Sequence, residues 1–207
     1  MYLSRVEIDY ANHRKIKDLT HLGAYHNWVE QSFPEEIENG IRQRHLWRID
    51  KFGNHDYLMV LSADKPDLDK LAEYGIAHTA QTKDYDGFID RIQDGDLLQF
   101  RLTANPTTKH NGTRIAESTL DGQRDWLKKR ATMHGFMLTP GSYDVISHNW
   151  PVLYHGGRPV KLNRVTYEGI LKVTDQQMFK AMLTDGIGHE KAYGMGLMTV
   201  VPHQVHA

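Results

Sequence analysis

Apolar and polar positions alternate over residues 2–9, through Leu3, Arg5, Val6 and Ile8, and this period of two predicts a strand. The period then lengthens. Leu19, Leu22, Val29 and Phe33 recur at helical spacing and predict a helix over 18–33, which Pro34 stops or turns into a loop. Two short apolar runs, 46–50 and 57–62, predict strands joined by a turn at Gly53-Asn54. A short helix is expected over 67–73 and a strand over 75–81, so the first half reads βαββαβ. The second half repeats the order. Leu98, Phe100 and Leu102 alternate in a strand over 96–104, and residues 121–134 form a helix with Trp126 and Leu127 inward. Lys128-Lys129-Arg130 sit late in that helix, where cations suit its dipole. Strands are expected over 143–148 and 160–173, then a helix over 175–183 capped by Thr174 or Asp175, then a last strand over 196–201. The fold class is therefore α+β, two ferredoxin-like units in tandem, with residues 1–88 and 89–207 as the domains and a polar junction at 83–86.

Charge changes the picture little on average and much locally. The 207 residues carry a net charge of −1. Residues 1–88 hold 11 Lys and Arg against 15 Asp and Glu, whereas residues 101–164 hold 10 against 4. A polyanion is drawn to such a local field even when the whole molecule is near neutral. The chain has no cysteine, which excludes disulfide and thiolate chemistry. It has no apolar run near the ~18 residues that cross a bilayer, and no basic-then-apolar leader, so a cytoplasmic protein without a membrane partner is expected.

Two stretches carry candidate chemistry. Gly186-Ile-Gly188-His-Glu-Lys191-Ala-Tyr-Gly194-Met-Gly196 sets two Gly-apolar-Gly triplets around one lysine. Lys191 is followed by Ala192, so this is not a Walker loop, and no strand feeds it as a dinucleotide fingerprint requires. It is either a connector or a loop that aims backbone N–H groups at phosphate. The thirteen histidines lack metal-ligand spacing, and no metal or cofactor is expected. His26 falls in the apolar stripe between Leu22 and Phe33, as a core histidine would. If Gly23 delays the helix to about Ala24, His26 instead lies in its first turn, where the dipole lowers an imidazole pKa and attracts phosphate.

A family resemblance bears on both stretches. Met1-Tyr2-Leu3-Ser4-Arg5-Val6, the run Phe100-Arg101-Leu102-Thr103-Ala104-Asn105-Pro106, the step Tyr167-Glu168-Gly169 and the glycine loop follow in one order. Together they resemble the RAMP superfamily, and within it the CasE family of CRISPR RNA-processing endoribonucleases of type I-E Cascade complexes. The resemblance implies tandem ferredoxin-like domains. It also implies metal-independent cleavage of a CRISPR repeat stem-loop to mature crRNA, with the product kept as part of Cascade. The partners implied are that RNA and the other Cascade subunits.

The segment from His26 to Phe33-Pro34 resembles the family's catalytic helix, which carries the active histidine over to His26. The family often has a tyrosine three residues earlier, where this chain has Gly23; Tyr25 is the neighbouring candidate. Arg158, Lys161 and Arg164 follow a Gly156-Gly157 hairpin tip and fit the family's RNA-gripping hairpin, Lys161 matching a lysine found there. Arg101, Lys109 and Arg114 form a second basic group, and Lys191, Gly194 and Gly196 the loop contribution. A non-catalytic RNA-binding subunit of the superfamily is the alternative, and a small-molecule regulatory module a third class that the basic 101–164 stretch disfavours.

Overall fold

The computed structural model describes residues 1–155 and 158–203. The first half runs β1 (Tyr2–Glu7), α1 (Leu22–Gln31), α2 (Pro34–Glu38), β2 (Leu46–Phe52), β3 (His55–Ser62), α3 (Leu68–Leu71), β4 (Gln81–Asp84) and α4 (Asp86–Ile89). The second runs β5 (Leu97–Ala104), β6 (Thr107–His110), β7 (Thr113–Ala116), α5 (Leu120–Met133), β8 (Phe136–Asn149), β9 (Val152–His155), β10 (Arg158–Lys161), β11 (Arg164–Val173), α6 (Gln176–Asp185) and β12 (Met198–Pro202). A single 3-10 turn, Lys191–Tyr193, lies within the glycine loop.

Two antiparallel four-stranded sheets form, ordered β2-β3-β1-β4 and β12-β5-β11-β8. Counted within each half, both have the order 2-3-1-4 or its reverse, so the expected ferredoxin-like repeat is what the chain adopts. Side-chain caps set several helix starts: Asp67 accepts from Asp69 and Lys70 N–H, Thr119 from Gly122 N–H and Asp175 from Met178 N–H.

Four local expectations need correction. The fourth strand is Gln81–Asp84, not 75–81; Gly75 makes only an isolated bridge to Ile8, and His78 adopts φ +64 in a turn, which no strand accommodates. The expected strand over 160–173 is two, because Leu162 turns into the core and Asn163 donates to the carbonyls of Pro106 and Glu117. The β6–β7 hairpin was not anticipated, although Asn111-Gly112, at φ +47 and +82, is a strong hairpin signal. Helix α1 begins at Leu22, so Gly23 lies inside its first turn and His26 in its second.

The second-half core joins Leu98, Phe100 and Leu102 to Trp126, Leu127, Phe179 and Leu183. The first-half core is not built from the first half alone. Val6, Leu22, Trp28, Val29, Leu58 and Val60 pack with Leu153 and Leu162 of the β9–β10 hairpin and with Met195 of the glycine loop.

The other faces of the sheets meet at Arg48, whose side chain is 2% exposed. Its Nε and Nη2 donate to Asp50 at 2.6 and 2.7 Å, its Nη1 to the carbonyls of Arg101 and Leu197 at 2.8 Å each, and its Nη2 also to Thr199 Oγ1. Replacing it leaves the buried Asp50 carboxylate with only the 3.3 Å contact from Arg101 and removes a donor from two carbonyls. Arg48→Leu is expected to lose about 3–5 kcal/mol of stability, read as a lower urea midpoint; an unchanged midpoint would show that the seam does not depend on it.

Candidate active site

Helix α1 starts at His21, an extended N-cap residue whose side chain makes no capping bond. A Cβ at Gly23 would lie 2.9 Å from His21 Cε1 and 3.8 Å from Leu153 Cδ1. The family's tyrosine position is thus filled here by a histidine ring and by the hairpin docked from the second half. Tyr154 on that hairpin meets His21 edge-on, with ring centroids 6.1 Å apart.

His26 is not a core residue. One third of its side chain is exposed, and its ring lies edge-on to Tyr193 of the glycine loop at 5.9 Å. Its Nδ1 is 3.8 Å from Glu30 Oε1, one helical turn on. Partial burial lowers its pKa, and the charges of Arg42 and His45 add to this while Glu30 opposes it. The lowered pKa expected from the sequence is present, but through desolvation and not through a helix N-terminus, which lies a turn away.

Tyr25 points elsewhere. It is buried, stacked on Trp47 at 6.1 Å and bonded through its hydroxyl to Tyr10 at 3.0 Å. The aromatic residue beside His26 is Tyr193, 167 positions along the chain, and no local pattern announces it.

Sequence reading also missed the carboxylates and the second imidazole. His45 is buried with Nδ1 2.9 Å from Glu30 Oε1 and Nε2 3.1 Å from Glu36 Oε1, its ring stacked on Phe33 at 3.8 Å. Burial disfavours its charged form, but the hydrogen bonds and charges of Glu30 and Glu36 outweigh burial and raise its pKa. Burial likewise opposes ionisation of Glu30, but the bond from His45 together with the charges of His45, His26 and Arg42 outweighs it, so the Glu30 pKa is lowered.

The basic residues divide into separate groups. Arg158 and Lys161 are exposed on β10, which pairs with β9 and is pinned to α1 through Leu153 and Leu162. The Gly156-Gly157 tip lies outside the described residues. Arg164 is not on that hairpin: it belongs to β11, donates Nε to Asn149 Oδ1 at 2.9 Å and lines a cleft of about 840 Å³ with Tyr10 and Tyr25. Lys109 and Arg114 are exposed cross-strand partners on β6–β7. Arg101 does not join them; it pairs with Glu168 and, at 3.3 Å, with Asp50 between the sheets.

The glycine loop is a seam and not an open cradle. Gly194 sits at φ +77 where a Cβ would come within 2.7 Å of the Trp47 ring, and Trp47 Nε1 donates to Ala192 O. The Gly196 N–H is committed to Thr103 O at 2.6 Å and both glycines are buried, so neither presents a free loop to phosphate. Lys191 Nζ donates to Asp185 O at 2.6 Å. Burial lowers the pKa of the neighbouring His189, and the charges of Arg114 and Arg130 lower it further, which marks a basic region between the loop, β7 and α5. Among the described residues no group of three or more His, Asp or Glu is placed to hold a metal ion, and no helix is long and apolar enough to cross a membrane.

Residues 1–202 match the family model described as CRISPR associated protein. The chain belongs to that family. Its relatives agree with the sequence resemblance. The CRISPR-associated endoribonuclease Cse3 of Thermus thermophilus is 27% identical over 216 residues, which span 98% of this chain and all of that one. A structure of Thermus thermophilus Cse3 bound to an RNA representing a pre-cleavage complex superposes with a TM-score of 0.80 at 26% identity, covering 97% of this chain and 98% of the other. Cas6e from Escherichia coli K-12 has a TM-score of 0.69 over 98% of this chain and all of its own, and at 24% identity that likeness is one of fold.

The electrostatics of this CRISPR-associated protein give a direct test. In an NMR pH titration His26 is expected to have its midpoint below the ordinary value of about 6.5 and His45 above it. Equal midpoints would mean that Glu30 and Glu36 do not hold His45 as described.

Proposed function

We propose that this protein is a metal-independent endoribonuclease that cuts CRISPR repeat RNA at a stem-loop and keeps the crRNA as a subunit of a Cascade complex in the cytoplasm. The observation that carries the reading is His26, one-third exposed on α1 where the glycine loop and the hairpin-bearing second half converge, in a chain similar over its full length to an RNA-bound endoribonuclease. Residues 1–88 supply His26, and residues 89–207 supply the grip on RNA.

Strand scission needs the ribose 2′-OH to attack the adjacent phosphorus. The new 2′-O–P bond forms as the bond to the 5′-oxygen breaks, leaving a 2′,3′-cyclic phosphate and a 5′-OH. One group must accept the 2′-OH proton, which an imidazole of lowered pKa, neutral and basic at pH 7, can do. A second proton, drawn from solvent water, must reach the departing 5′-oxygen to give the 5′-OH. With Nδ1 toward Glu30, Nε2 is the ring nitrogen on the far side and is the one assigned to the RNA. Phosphate charge is met by cations and not by a metal: Arg158 and Lys161 on the hairpin, Lys109 and Arg114 on β6–β7. A-form RNA withholds its major-groove edges, so stem shape and phosphates are what these side chains read.

Gly23 in place of the family's tyrosine favours the second reading, a non-catalytic RNA-binding subunit. One experiment separates the two. With chelator present and labelled repeat hairpin from its own genome, the protein is expected to cleave. His26→Ala should lose about 10²- to 10⁴-fold in rate while folding and binding as before. A folded His26→Ala protein that cleaves at the parent rate would remove His26 from catalysis. In the same RNA assay Arg158→Ala and Lys161→Ala should each flatten the salt dependence of binding by roughly one unit or less. Unchanged slope and affinity in both would take the hairpin out of the interface.

A further inference from the structure

The cleavage chemistry above uses one imidazole, yet α1 and the segment before β2 bring two to the same carboxylate. Glu30 Oε1 lies 2.9 Å from His45 Nδ1 and 3.8 Å from His26 Nδ1. The far nitrogen of His45 meets Glu36 Oε1 at 3.1 Å, and its ring lies flat on Phe33 with 8° between the planes. A carboxylate on each ring nitrogen requires both to donate, which only the imidazolium can do. A buried cation therefore sits one carboxylate away from His26.

We propose that His45 is a positioning residue of the cleavage reaction, acting on His26 through Glu30. The inference rests on His26 as the reacting imidazole. His45 fixes the Glu30 carboxylate, whose charge, 3.8 Å from His26 Nδ1, favours the proton on that nitrogen and so leaves the lone pair on Nε2. The cation also offsets the charge of Glu30, so that Glu30 orients the His26 ring without holding an extra proton on it. The groups facing His26 are Glu30 on its own helix, Arg42 and His45 from the segment before β2, and the Tyr193 ring from the 3-10 turn. Of these, only Glu30 favours the charged form of His26; Arg42 and His45 disfavour it.

The arrangement predicts shifts of opposite sign. In His45→Gln the Glu30 charge loses its hydrogen-bonded cation and keeps only the weaker influence of Arg42, and the His26 midpoint, followed by NMR on the free protein, should rise by about one unit. In Glu30→Gln the supporting charge is gone, and the midpoint should fall below the parent value. The limb of the single-turnover pH–rate profile that follows His26 should move with each midpoint, while affinity for the repeat hairpin is retained. A merely structural His45 would lower the melting temperature and leave the midpoint in place. Unmoved midpoints in the folded variants, with His26→Ala inactive, overturn the role of His45 alone. If His45→Gln does not fold, Glu36→Gln takes its place: it removes one of the two carboxylates that keep His45 charged and leaves Glu30 beside His26. The His26 midpoint should then rise, and an unmoved midpoint overturns the proposal. Midpoints that move in a protein whose His26→Ala variant still cleaves at the parent rate would sink the reading of His26, and the role of His45 in cleavage with it.

Discussion

The Arg48 guanidinium joins what would otherwise be two small proteins. It lies in β2 of the first sheet, is neutralised by Asp50 two residues on, and hands its remaining N–H groups to two carbonyls and a hydroxyl of the second half. A buried pair of this kind does not create stability by charge alone, because desolvation offsets the attraction. Its effect is directional: the carbonyls of Arg101 and Leu197 have one place to go, so the two sheets meet at one angle. Everything built across the seam inherits that geometry. Tyr193 reaches His26, and Leu153 reaches the first turn of α1, because β2 and β12 are held by the same side chain.

Period and turn chemistry made the repeated βαββαβ order legible, since each unit buries one face of a sheet under helices and that burial writes itself as alternation or helical spacing. Failures came where local chemistry overrode the pattern. Residues 75–81 look apolar enough for a strand, but His78 turns left-handed and Thr79 bonds back to Ile76. The β6–β7 hairpin is short and exposed, so no apolar period marks it, and only Asn111-Gly112 does.

His26 was singled out in the sequence because it stands in a local motif. Its environment was not. Glu30 could have been seen one turn away, but His45 reaches it across the α1–α2 corner and Tyr193 from the far end of the chain. Net charge over 101–164 marks a basic stretch, yet summed charge does not say which cations are free. Arg101 is answered by Glu168 and Asp50, Arg164 is sunk in a cleft, and Arg158 and Lys161 stand in solvent.

The borrowed core of the first half has a consequence for synthesis. Leu153, Leu162 and Met195 complete the packing around Trp28 and Val29, so the first unit has an open face until those residues have been made. Translation at 5–20 residues per second separates residue 90 from residue 195 by roughly 5 to 20 seconds. During that interval the nascent first unit presents an apolar gap beside α1. The glycine loop that brings Tyr193 against His26 is made long after α1, so the site closes only when parts of both halves are present.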